Sequence, residues 1–101
     1  MHFTTPQAAM RYLAAAYNRN DITALRHVTN PVARSALLDM RQEATNLQLT
    51  SCSRRPAGDY LCQFSHDYPP QMHRRGHGQA TFVVGPAAKP GWYMTVLNEC
   101  G

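Results

Sequence analysis

Met40-Arg41-Gln42-Glu43-Ala44-Thr45-Asn46-Leu47-Gln48-Leu49-Thr50 is where the chain changes character. Upstream of it, Ala33, Leu37, Met40 and Ala44 recur at the three- and four-residue intervals that keep one helix face apolar. Downstream, Leu47-Gln48-Leu49-Thr50 alternates apolar and polar, the two-residue period of a half-buried strand. The break at about residue 45 separates a helical half from a strand half, because one periodicity cannot serve the other geometry.

Working back from the break, Asn30-Pro31 places a capping side chain before a proline at the first helical position. Thr5-Pro6 does the same at the N-terminus, followed by the stripe Ala9, Met10, Leu13, Ala16 and Tyr17. Asn18-Arg19-Asn20-Asp21 ends that helix, and Asp21 caps a short second one whose buried face is expected to be Ile22, Leu25 and Val28. Working forward, Arg55-Pro56-Ala57-Gly58-Asp59 is a turn cluster. Tyr60 to His66, Gln79 to Val84 and Trp92 to Leu97 follow as strands, and Pro69-Pro70 is barred from a central strand. Helices followed by strands read as α+β: three N-terminal helices packed on a four-stranded antiparallel sheet. The expected core holds Met10, Leu13, Leu25, Val28, Leu37, Met40, Phe64, Phe82, Trp92 and Met94.

The chain has 101 residues and a formal charge of +4. That length fits a single domain over 1–101, helices about 5–45 and sheet about 46–100. No apolar run is long enough to cross a bilayer, and the N-terminus lacks the pattern of a signal peptide. Lys89 is the one lysine beside nine arginines, and the basic residues are dispersed along the chain. The paired Arg54-Arg55 and Arg74-Arg75 fall in turns, so no basic patch interleaved with aromatics points to a specific nucleic acid.

Three cysteines, Cys52, Cys62 and Cys100, form no CxxC pair. Cys52 and Cys62 lie symmetrically about the Pro56-Ala57-Gly58 turn. A hairpin that pairs 54 with 60 also pairs 52 with 62, close enough for a disulfide. A Cys62–Cys100 bridge is the competing arrangement. A bridge in so small a chain places it outside the cytoplasm, secreted or membrane-anchored through a tether outside this chain; free thiols would place it inside.

His66, His73 and His77 fall within twelve residues, but they straddle Pro69-Pro70 and a glycine-bearing stretch without accompanying metal motifs, so no metal and no cofactor is expected. No carboxylate interrupts the middle of an apolar strand, where a buried base would sit.

The run Thr5-Pro6-Gln7-Ala8-Ala9-Met10-Arg11-Tyr12-Leu13-Ala14-Ala15-Ala16-Tyr17-Asn18-Arg19-Asn20-Asp21-Ile22-Thr23-Ala24-Leu25 and the strand Gly91-Trp92-Tyr93-Met94-Thr95-Val96 resemble the nuclear transport factor two-like (cystatin-like) superfamily. The resemblance implies a curved sheet wrapped around a long helix as a cone, with a ligand pocket at its mouth formed by Tyr12, Phe64 and Trp92. Two functions accompany it. One is a non-catalytic domain that binds a protein or a small apolar ligand, with a homodimer through the sheet face as an assembly. The alternative is a small acid–base enzyme of the isomerase or polyketide cyclase type, using His66 and Asp67 with Tyr60 in the pocket. The absence of a placed base favours binding.

Overall fold

Three side-chain caps start the helices of the computed structural model, which describes residues 3–73, 76–86 and 92–99, with side chains to residue 85. Thr5 Oγ1 accepts from the Ala8 amide at 3.1 Å, Asp21 Oδ1 from Ala24 at 3.0 Å and Asn30 Oδ1 from Ala33 at 2.8 Å. Each satisfies an amide that the first turn leaves without an intrahelical acceptor. The helices are α1 (Pro6–Arg19), α2 (Ile22–Leu25) and α3 (Pro31–Met40). Asn20 ends α1 in the left-handed conformation, φ 62°, and its amide returns to Ala16 and Tyr17.

The strands are β1 (Thr45–Arg54), β2 (Tyr60–Asp67), β3 (His77–Pro86) and β4 (Trp92–Glu99). They run antiparallel in the order β1-β2-β3-β4, so every connection is a step to the next strand. The chain is therefore α+β, helices first, with the antiparallel sheet that the change of period at residue 45 implies. A 3-10 turn, Pro70–Met72, falls where the proline pair interrupts the strand pattern.

Between β1 and β2 the Arg55–Asp59 turn closes with the Arg55 amide on the Asp59 carbonyl at 2.8 Å, and Gly58 supplies the positive φ of 94° that the reversal needs. The Arg55 guanidinium grips the Asp59 carboxylate, Nε to Oδ1 at 2.6 Å, and holds that acid below the usual carboxylate range. The resulting register sets Arg54 opposite Tyr60 and Cys52 opposite Cys62, as the symmetry about the turn predicts.

α1 lies across the sheet and α3 against β4. All five residues of the α1 stripe are buried, as are Leu25, Val28, Leu37 and Met40. From the sheet come Leu47, Cys62, Phe64, Phe82 and Val84, with the Phe64 and Phe82 rings 4.6 Å apart. Trp92 and Met94, expected in this core, have side chains outside the described residues. One expectation fails: Ile22 is 41% exposed, and Ala24 takes its place in the core. With only four residues, α2 turns once and does not return its first position to the buried side.

β1 is not a regular strand. Its pairing with β2 shifts between Thr45 and Gln48 and again between Leu49 and Ser51. At each place β1 carries one more residue than its partner, the signature of a β-bulge. The first includes Asn46 at φ 53°. The second reverses which parity faces the helices: Leu47 and Leu49 point inward before it and Cys52 after it. Bulges of this kind bend and twist the strand that carries them.

Candidate functional site

Alternation along β2 sorts the chemistry of the sheet into two sides. Cys62, Phe64 and His66 face the helices, while Leu61, Gln63, Ser65 and Asp67 face outward. His66 and Asp67 therefore lie on opposite sides of one strand. Tyr60 is six residues from His66, about 20 Å along an extended chain. The three residues weighed for acid–base chemistry are not brought together, because consecutive strand positions cannot converge on one face.

His66 is buried, with 8% of its surface exposed. Its ring meets Tyr68 edge-on at 5.4 Å and stands over Gly78, its direct partner across β3. The inward position is thus spent on packing. Of the residues expected to line a pocket, Phe64 is fully buried against Phe82 and Tyr12 packs beside Phe3, ring centroids 5.2 Å apart. The Trp92 side chain lies outside the described residues.

The expected Cys52–Cys62 pairing is present, and the competing Cys62–Cys100 bridge is not. Cys52 and Cys62 are joined by a disulfide with their Cα atoms 4.0 Å apart. So close an approach belongs to the non-hydrogen-bonded kind of antiparallel pair, where side chains meet most closely. Cys62 is fully buried and Cys52 packs on the same cluster, so the bridge ties the edge strand into the core. Cys100 lies outside the described residues.

Asp67 has partners that its neighbours in sequence do not reveal. Its Oδ1 accepts from Nδ1 of His77 at 2.8 Å and its Oδ2 from Nδ2 of Asn46 at 3.1 Å. His77 is its direct partner across β3, and Asn46 is the left-handed residue of the first bulge. One carboxylate on the outer face thus connects three strands. The Asn46 amide, then the His77 ring, hold the Asp67 carboxyl below the usual carboxylate range, so it stays ionised. The spacing of His66, His73 and His77 gave no sign of this arrangement; it depends on the hairpin register that sets residue 67 opposite 77.

Two grooves open on the outer face. One, of about 380 Å³, is lined by Asn46, Gln48, Ser65, Asp67 and His77. The other, of about 350 Å³, is lined by Ser51, Ser53, Leu61, Gln63 and Thr81. A third groove, of about 310 Å³, lies at the helix ends, lined by residues that include Tyr17, Asn18, Arg41 and Asn46. Its walls are held by structural bonds. The Tyr17 hydroxyl donates to the Ala44 carbonyl at 2.7 Å, and the Asn18 amide both donates to and accepts from the Leu47 backbone, at 2.9 and 2.8 Å. Burial pushes the Tyr17 hydroxyl up to about 12.

Among the described residues no three His, Cys, Asp or Glu side chains gather as a metal site, and no helix is long and apolar enough to cross a membrane. No known protein family and no curated protein matches the chain.

Proposed function

We propose that this chain is a binding domain of the cystatin-like, nuclear transport factor two-like type, a curved four-stranded cone whose outer sheet face meets a protein partner. The observation that carries the reading is the chemistry of the central groove on that face. In a chain of charge +4, Ser51, Ser53, Leu61, Gln63 and Thr81 form a surface without a charged group. Neutral polar and apolar side chains enter an interface at low desolvation cost, whereas charges resist burial, and interface centres are depleted in them. The two bulges of β1 support the curvature.

The described inner face supports binding over catalysis. Its described titratable side chains from β2 and β3 are Tyr60 and His66, six residues apart, and the His66 ring covers Gly78. A second copy of the chain is one such partner, since the central groove brings no charged group to the contact, and a homodimer through the sheet is the simplest assembly. The Cys52–Cys62 bridge supports a secreted or membrane-anchored location, because such bonds persist in oxidising compartments.

A photo-crosslinking amino acid placed at Gln63, in the full-length protein within its own cell, tests the reading. Capture of a protein at Gln63, but not from the exposed Arg11 on α1, is the expected result. Adding Thr81→Arg should lower that capture. Equal capture from both positions, or none from Gln63, overturns the reading.

A further inference from the structure

The groove at the Asp67 end of the outer face has a definite polarity, which follows from the direction of its hydrogen bonds. The carboxylate of Asp67 can accept about four hydrogen bonds, and two come from within the chain, from His77 and Asn46. Asn46 gives a donor to that contact, which leaves its own carbonyl oxygen Oδ1 as an acceptor. In the neutral ring, His77 gives its Nδ1–H, which leaves the Nε2 lone pair as an acceptor. Gln48 and Ser65, which complete the lining, contribute a carbonyl and a hydroxyl oxygen. The site thus holds one formal negative charge, the remaining lone pairs of its carboxylate and the neutral oxygens of Asn46, Gln48 and Ser65, beside amide and hydroxyl donors but no fixed positive charge.

We propose that this groove accepts a guanidinium or ammonium group, carried by an arginine or lysine side chain of a protein partner. The proposal rests on the reading of the outer face as a binding surface and names the chemistry of what binds at its end. A guanidinium brings five N–H donors in a planar fork and an ammonium three, which match a carboxylate flanked by neutral oxygens. An anionic ligand would face the Asp67 charge. A bare hard cation would demand six to eight oxygen ligands, where this groove holds one carboxylate already engaged at both oxygens. A volume of about 380 Å³ has room for the head of a long basic side chain with water around it. His77 is 75% exposed and Asp67 43%, so the groove is open to a side chain arriving from outside.

The test is a titration of the isotope-labelled chain, followed by backbone amide shifts, with N-acetylarginine amide, N-acetyllysine amide and N-acetylcitrulline amide. Citrulline keeps the shape of arginine and lacks its charge. The arginine and lysine compounds are expected to shift the amides of Gln48, Ser65 and His77, and citrulline to leave them unchanged. Tighter binding of arginine than of lysine would assign the site to the guanidinium fork, and equal binding to the positive charge alone; both support the proposal. Asp67→Asn should weaken the arginine compound by about tenfold, the loss of a charge-assisted contact. Gln48→Ala, which leaves the carboxylate and its partners in place, should weaken it less. Equal binding of citrulline and arginine, or undiminished binding by a folded Asp67→Asn variant, overturns the proposal. If Gln63 still captures a partner in the crosslinking experiment while the titration fails, the ligand class falls and the binding reading stands.

Discussion

The imidazole of His66 occupies the space that the missing side chain of Gly78 leaves on the inner face of the sheet. The two are direct partners across β2 and β3, and a Cβ at residue 78 would overlap ring atoms Cε1 and Nε2 and crowd the Tyr68 hydroxyl. The same large-against-small matching sets Phe64 opposite Ala80 in the next inward row. An aromatic ring over a strand glycine covers backbone that would otherwise be exposed.

Gly78→Ala is therefore expected to destabilise the domain by about 1–3 kcal/mol, the usual cost of overpacking. Urea unfolding measures it. The double variant His66→Ala, Gly78→Ala should lose less than the sum of the single losses, because the clash needs both side chains. Additive losses would show that the ring does not depend on the glycine.

Reducing the Cys52–Cys62 bridge should lower stability by roughly 2–3 kcal/mol, the chain-entropy value for a loop this short. The comparison is between oxidised and reduced protein in the same denaturant series. Counting thiols on denatured, unreduced protein should find one per chain, since the sequence holds three cysteines and two are joined. Three free thiols would remove both the bridge and the argument for an oxidising compartment.

Tyr17 should ionise well above the ordinary tyrosine value. Its folded-state value of about 12 lies above the ordinary 10.0, since burial disfavours the phenolate. A raised value means the folded state keeps its proton longer than the unfolded chain does. The Tyr17 contribution to stability is full below pH 10 and falls as pH rises from about 10 to about 12. Absorbance of phenolate during alkaline titration of wild type and Tyr17→Phe isolates this step. Removing the hydroxyl also leaves the Ala44 carbonyl without its donor, so Tyr17→Phe should cost about 1 kcal/mol or more at neutral pH.

Much of this architecture is legible in the sequence because local chemistry controls it. Thr5, Asp21 and Asn30 each stand just before a helix whose first amides need an acceptor, and the Arg55–Asp59 turn sets the register of the first hairpin. Where several elements compete, the sequence alone is a weaker guide. Ile22 reads as core by spacing, yet one turn of helix is too short to hold it inward. The bulges of β1 leave no compositional mark, although the second decides that Leu47 and Leu49 share the inner side with Cys52. The outer-face cluster is the least legible feature: Asp67, His77 and Asn46 come from three strands, and only tertiary register unites them. His66, next to Asp67 in sequence, is its opposite in the fold.

The register of the first hairpin gives the disulfide a role beyond stabilisation. The Arg55–Asp59 turn sets Cys52 opposite Cys62, and the extra residue at Thr50–Ser51 then brings Leu49 and Leu47 onto the same inner side. A chain whose β1 has slipped by one position against β2 turns the Cys52 sulfur to the other face and cannot be sealed to Cys62. Oxidation therefore works as a covalent proofreader. It captures the molecules that have placed Cys52 in its native alignment and leaves the misaligned ones open for another attempt.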